Sequence, residues 1–425
     1  MFATMKQIFH KSNKDLRHRI IFTLFILGIF CIGTNITVPW ASSIYKELGF
    51  LELFDLMAGG ALKQFSIFAL GVSPYITASI ITQLLQMDII PYFSELKDQG
   101  YVGKQKINKI TRYLGILFAF IQGYVFSIAF LGSNNVLDIL KTSLVLTAGT
   151  SLLMWLGDKI TEKGIGNGLS LLIMAGIIES IPSMFKTAFD GLITNGTHAT
   201  AIGITLFSIF VIVYLLIIVG VIFIQLAERR IPIQYANRSN TVIASEKSFL
   251  PIKINSAGVI PVIFASVLLA LPVTIVNFIG NETAINFVNN WINYTSPTGF
   301  LLYIVLIFFF GYFYTFMQMN PEEMSKNLNK NGGYIPGVRP GKPTSNYLSK
   351  VLSSLTIMGS IFLVVIAGLP IIFSSFSGLD SSVTIGGTGL LIVVGVAIET
   401  YKQLESSIVS RSYKRSKRIW KISYS

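Results

Sequence analysis

The sequence predicts an all-α membrane protein of ten spanning helices, arranged as two inverted halves of five. Three observations carry this. The 425-residue chain is 52% hydrophobic and only 12% charged, too little polar surface for a soluble protein of its size. Its apolar residues gather in runs of about 20, the length that crosses a hydrocarbon core of about 30 Å at roughly 1.5 Å per residue. A nine-residue word also occurs twice, five spans apart.

The runs fall at 20–38, 66–87, 112–131, 142–156, 168–185, 201–227, 257–277, 299–318, 351–373 and 385–400, the fourth and tenth being the shortest. Each is expected as a helix, because a loop or open sheet facing lipid leaves backbone groups unpaired. The first run resembles a signal peptide only superficially. No small-residue cleavage site follows it, so it is read as an uncleaved span.

Orientation follows from Lys and Arg, which concentrate in cytoplasmic loops. With the N-terminus inside, all but four of the 33 basic residues fall on the cytoplasmic side; the four are Lys46, Lys63, Lys141 and Lys186. Both termini are therefore expected in the cytoplasm. Cys31 is the one cysteine and lies in the first run, which excludes an intrachain disulfide. His10, His18 and His198 lie outside the spans, and no Cys/His metal set is expected.

The repeated word is GVSPYITAS at 71–79 and GVIPVIFAS at 258–266, identical at six of nine positions. It opens the second and seventh spans. Five spans separate the copies, and five is odd, so the second copy runs through the membrane in the opposite direction. Chance sharing of a short apolar word is the competing explanation. Inverted repeats place their working site near the midplane, beside helices interrupted by Gly or Pro, and Pro74 and Pro261 are expected to supply such interruptions. Glycine-rich openings of the fifth span (GIGNG, 164–168) and the tenth (GGTG, 386–389) repeat the offset. The halves are drawn at 1–200 and 201–400, with a basic tail at 401–425.

Charge placement also limits the function. Nearly every Asp, Glu, Lys and Arg falls in a loop or at a span end, whereas coupled transporters keep an ionisable group at mid-membrane. A small-solute transporter is disfavoured on that ground. A membrane enzyme would need a catalytic constellation in a loop, and none is visible. GIGNG lacks the strand and acidic partner of a dinucleotide site, and GVRPGKPT at 337–344 has Pro343 where a phosphate-binding loop needs Ser or Thr. No cofactor is expected, and work must come from a partner or a gradient.

The longest cytoplasmic loops, 228–256 and 319–351, each carry five basic residues on a backbone stiffened by proline. Their charge serves topology, or an ordered surface for RNA phosphate or an acidic protein face, chemistry that suits Arg. A further apolar stretch at 53–64, LFDLMAGGALKQ, is too short and too glycine-broken to span. It is expected as a half-helix of about three turns, marginal alone, with Asp55 and Lys63 keeping its faces out of lipid. It is either an interfacial helix or a movable element.

At these words the chain closely resembles the SecY/Sec61 family, in particular its Gram-positive, Firmicutes-type members. The resemblance runs through GGAL (59–62), FSIFALGVSPYITASI (65–80), LLQMDI (84–89), ERRIPIQYA (228–236), AGVIPVIFAS (257–266), NPEE (320–323), GGYIPGVRPGKPT (332–344) and GGTGLLIVV (386–394). It implies two inverted halves around an hourglass pore, passing unfolded secretory chains across the bacterial plasma membrane and releasing apolar spans sideways into lipid. An accessory member serving a narrow substrate set is the alternative. Implied partners are SecE and SecG-like subunits, the SecA motor or a ribosome on the basic loops, signal peptides, unfolded polypeptide and lipid.

By position the resemblance places a pore ring on Val72, Ile76, Leu169, Ile173, Ile263 and Ile392, an aliphatic gasket that excludes water yet offers no hydrogen bond to hold a passing peptide. Asp55, Leu56, Met57, Ala58, Gly59, Gly60, Ala61 and Leu62 become a plug. Pro74, Gln83 and Pro261 fall on the lateral gate, where Gln83 either acts in gating or bonds a neighbouring helix. Docking falls on Arg229, Arg230, Arg238, Arg339 and Lys342, with Arg339 foremost. Departures from the family pattern are Cys31 in place of a common Arg, Trp40 after Pro39, and GKQK at 103–106; they bear on first-span packing and on the tip between spans two and three.

Overall fold

The structure, a computed structural model, describes residues 14–38, 55, 58–62, 64–86, 90–131, 135–194, 200–235, 248–279, 282–292, 296–377 and 389–408. Leu56, Met57, Lys63, Arg238, most of the GGTG opening and the tail beyond 408 lie outside the described residues. The helices are α1 (Lys14–Thr34), α2 (Ser73–Leu85), α3 (Pro91–Asp98), α4 (Tyr101–Leu131), α5 (Val136–Lys163), α6 (Gly168–Phe189, with a π turn at Asp190–Thr194), α7 (Thr200–Leu226), α8 (Ile260–Ile279), α9 (Glu282–Trp291), α10 (Pro297–Gln318), α11 (Pro321–Lys330), α12 (Lys342–Ser377) and α13 (389–408). Four short strands, β1 (Glu228–Pro232), β2 (Gln234–Tyr235), β3 (Phe249–Lys253) and β4 (Gly333–Tyr334), lie between them.

Among the described residues, seven helices are long and apolar enough to cross a membrane. α7 shows the inside-out pattern of a lipid-facing span, leaving Leu216, Val219 and Phe223 exposed. The fourth span is longer than its apolar run, because α5 continues beyond residues 142–156 into polar turns at both ends. The second is shorter. Only 73–85 is helical, about 20 Å at the helical rise, and residues 66–72 form a bridge and turns instead of the expected helix.

The chain divides into two compact units, Met1–Asn195 with Asp380–Ser425, and Gly196–Leu379. In the first unit α4 packs along α5 and α2, and α1 packs on α5 and α6. Close approach depends on glycine: a Cβ at Gly149 in α5 would run into the Ile67 carbonyl oxygen, and one at Gly168 in α6 into that of Gly157 in α5. Ser143 of α5 donates to the Phe120 carbonyl of α4 at 3.1 Å. In the second unit α10 packs between α8 and α12, and Gly311 of α10 faces Ser360 of α12.

Candidate functional site

The segment between α1 and α2 is where irregular backbone enters the first unit. The chain leaving α1 pairs with it: Ile67 donates to the Ile36 carbonyl at 2.9 Å and Val38 to that of Phe65 at 3.1 Å, around a bridge between Thr37 and Ser66. Leu62, Phe65, Ala69 and Leu70 join Val38, Ala119, Phe126, Phe130 and Leu146 in one apolar core. Phe65 stacks on Phe130 at 5.3 Å. Turns shape the rest. Gly59, Gly60 and Gly71 hold φ of +74°, +78° and +54°, and Phe65 holds +46°, a conformation that a bulky residue keeps only when its surroundings impose it.

This corrects two expectations about residues 53–64. Residues 58–62 are turns rather than part of a half-helix, because the left-handed glycines cannot continue one. Asp55 does not point outward. It is buried, its carboxylate accepts the Leu62 amide at 3.0 Å, and its carbonyl accepts the amides of Ala58 and Gly60 at 3.1 and 2.9 Å.

The two copies of the repeated word have the same local structure. Gly71 and Gly258 both take positive φ, +54° and +65°. The carbonyl of the following Val then accepts two amides: Val72 those of Tyr75 and Ile76, both at 3.1 Å, and Val259 those of Val262 and Ile263, at 3.1 and 3.3 Å. Pro74 and Pro261 are each the second residue of their helix. They begin helices rather than interrupt them, since a proline at that position lacks only an amide that has no helical partner anyway.

The other residues named from the sequence sit as follows. Val72, Ile173 and Ile392 are buried, and Ile76, Leu169 and Ile263 are half-buried. The GIGNG turn is a helix start packed on its neighbours: Asn167 caps α6 by accepting the amides of Leu169 and Ser170, and Ile165 donates to Thr23 Oγ1 of α1 at 3.1 Å. Gln83 donates to Ser79 on its own helix at 3.2 Å, and its Oε1 is buried with no hydrogen-bond partner among the described residues.

On the other unit the two long loops fold together. β1 pairs antiparallel with β3, from Glu228 opposite Lys253 to Pro232 opposite Phe249. β2 pairs with β4, which ties loop 228–256 to loop 319–351. Ile231 and Ile252 from the first loop and Ile335 from the second meet Leu348, Leu352 and Leu355 of α12 in one core, so Ile231 of the Ile-Pro-Ile word is a buried anchor while Pro232 is exposed. The GVRPG tip is held by Ser325, which donates to the Gly341 carbonyl at 2.9 Å, and by Thr344, which donates to that of Arg339 at 2.8 Å. A phosphate-binding reading fails here, because Pro343 lies in the first turn of α12 and Thr344 is committed to backbone.

Arg229, Arg339 and Lys342 are exposed on this base. Arg230 differs. Its Nε donates to Glu228 Oε1 at 2.8 Å and its guanidinium lies 4.7 Å from the Phe249 ring centre, so it is already engaged within the strand pair.

Comparison with known proteins decides the family. The SecY family model matches residues 66–401. The chain belongs to the SecY family. Curated members named protein translocase subunit SecY are 47% identical in Bacillus subtilis and 45% in Halalkalibacterium halodurans, each alignment covering 97% of this chain and 99% of the relative. Among solved structures, a protein-conducting channel matches with a TM-score of 0.67. A SecY whose plug domain is described as stabilising the closed channel matches at 0.63, and Sec61 in the canine ribosome-channel complex at 0.64. All three are 20% identical over 93% of each chain and establish the fold. The ten-helix SecY-type fold expected from the sequence is therefore the fold of this chain.

The sequence reading of this SecY-family chain missed Glu179, a carboxylate within the apolar α6. Its Oε1 accepts from Thr34 Oγ1 at 3.1 Å and from Asn35 Nδ2 at 3.2 Å, at the end of α1. A lone acidic residue inside an otherwise apolar run was its visible signal.

Proposed function

We propose that this chain is the channel-forming subunit of a bacterial protein translocase, passing unfolded secretory polypeptides across the plasma membrane and releasing apolar spans into lipid. The observation that carries this is the seat of residues 58–72. α2 spans only 13 residues, so the turns before it occupy part of the membrane thickness. Non-helical backbone is tolerated there only where protein buries it or where it borders a water-filled cavity.

In this reading residues 55–62 are the plug, and Val72, Ile76, Leu169, Ile173, Ile263 and Ile392 form the constriction, where aliphatic side chains exclude ions by dewetting. Pro74, Pro261 and Gln83 belong to the gate that opens toward lipid. The halves 1–200 and 201–400 are inverted copies, supported by the shared backbone at Gly71 and Gly258. The bias of Lys and Arg supports cytoplasmic termini. SecE and SecG-like subunits complete the assembly. SecA or a ribosome docks on the base carrying Arg229, Arg339 and Lys342, with Arg238 assigned there by sequence position alone.

The test is reconstitution of the purified channel, with its co-purifying small subunits, into vesicles supplied with motor and ATP or with translating ribosomes. Signal-peptide-dependent protection of a precursor from external protease is expected. Vesicles that fail to protect any precursor under either drive would overturn the reading.

A further inference from the structure

We propose that Glu179 is a positioning residue that builds the plug's seat and so sets how readily the plug leaves. The inference rests on reading residues 55–62 as a plug. Gly176 and Glu179 lie three residues apart on α6, hence on one face of the helix. Both lie against the same glycine: a Cβ at Gly59 would stand 3.0 Å from Glu179 Oε2 and 3.2 Å from Gly176 Cα, and Gly59 has φ +74°. The plug turn therefore sits directly on the carboxylate and the bare backbone beside it.

The opposite side of the carboxylate faces the end of α1. Thr34 Oγ1 lies 3.1 and 3.3 Å from the two carboxylate oxygens, and Asn35 Nδ2 lies 3.2 Å from Oε1. Asn35 Nδ2 uses its second hydrogen on the Cys31 carbonyl at 2.8 Å, and the single Thr34 hydrogen is shared between that carbonyl, also at 2.8 Å, and the carboxylate, so the donors are fixed to the last turn of α1. Two residues further on, the same chain pairs with residues 65–67. Glu179 thus joins three parts of the seat: the α6 face under Gly59, the α1 terminus, and through it the strand-like stretch that holds the far side of the plug.

A carboxylate within an apolar span is costly unless several groups hydrogen-bond it. Here neutral donors satisfy it while its second oxygen borders the plug. Packing alone would be served as well by an aliphatic residue. An acceptor is required if the end of α1 must be held in register with α6 while the plug is seated and released when it leaves.

The experiment uses the full chain with its co-purifying subunits, Cys31 replaced by Ala so that no new hydroxyl reaches Glu179, and Ala61→Cys as reporter, since residue 61 is fully buried with the plug seated. E179A is expected to raise resting ion conductance in planar bilayers and to speed maleimide labelling at position 61 by at least about tenfold, the factor of one lost hydrogen bond to a charged group. E179Q, whose amide oxygen still accepts from Thr34, is expected to stay near the parent. Should E179A assemble poorly, Thr34→Val with Asn35→Ala removes the same bonds from α1 and should reproduce the leak.

Resting conductance is also recorded after deletion of residues 55–62, which removes the labelling reporter; the deletion itself should leak, and E179A should add nothing to that leak. A tight, unreactive E179A beside a leaking deletion overturns the role of Glu179 and leaves the plug reading standing, as does a leak that adds to the deletion's. A tight deletion overturns the plug reading and this inference with it.

Discussion

The Asp55 carboxylate accepts the Leu62 amide at 3.0 Å, closing a loop whose inner turns hang on the Asp55 carbonyl. One residue thus supplies both a side-chain and a backbone acceptor to the buried turns at 58–62, the segment proposed as the plug. Hydrogen bonds to a charged group contribute about 1.5–3 kcal/mol each. Asp55→Ala is expected to loosen the segment and raise resting conductance while export in vesicles persists. Asp55→Asn keeps an acceptor and should leak less. Equal tightness of Asp55→Ala and the parent in bilayer recordings contradicts the assignment.

Gly71 and Gly258 differ in their surroundings despite the shared backbone. A Cβ at Gly258 meets nothing within 4 Å, whereas one at Gly71 would stand 3.1 Å from the Ala58 Cβ. Gly258→Ala should therefore cost only the left-handed strain, about 1–2 kcal/mol. Gly71→Ala adds a collision with Ala58 of the proposed plug. Thermal unfolding in detergent should show the larger loss for Gly71→Ala, and only that variant should also leak.

Which parts of this were legible in the sequence follows from what apolar runs report. A run records how long a segment stays out of water, so the helices were readable, but not where helix ends and turn begins. Residues 66–72 are as apolar as a span, yet they pair with 36–38 and turn at Gly71. Charges used as loop markers hid both Asp55 and Glu179, whose partners lie on backbone or on a span distant in sequence. The prolines of the two long basic loops announced order. The pairing of β2 with β4 and the approach of Arg230 to Phe249 depend on contacts across about a hundred residues or between paired strands distant in sequence, which no local word encodes.

Arg112 of α4 and Asp158 of α5 form an ion pair at 2.6 Å, with both side chains more than a third exposed. At that exposure water screens the attraction, and such pairs are typically worth about 0.2–1 kcal/mol. A double-mutant cycle of Arg112→Ala and Asp158→Ala, read by unfolding in detergent, should give a coupling energy of about 1 kcal/mol or less. A coupling several times larger would mean that an apolar medium, rather than water, surrounds the pair.

Arg339 and Arg230 are both exposed basic residues of the base formed by the two long loops, but opposite outcomes are expected from reversing their charge. Arg339 stands at a tip whose shape is set by its backbone, the carbonyl accepting from Thr344, and by Gly337 and Gly341 at φ +82° and +96°. Its side chain is not needed for that shape. Arg339→Glu should leave the melting temperature and assembly with small subunits unchanged, and abolish export driven by the docked partner. Arg230 is paired with Glu228 and lies over Phe249, so Arg230→Glu places two carboxylates side by side and removes a cation–π contact worth about 0.5–1 kcal/mol at an exposed site. Arg230→Glu should lower the melting temperature of the base, with export falling only as far as folded protein is lost. Undiminished export by Arg339→Glu, measured per assembled channel, removes Arg339 from the docking surface.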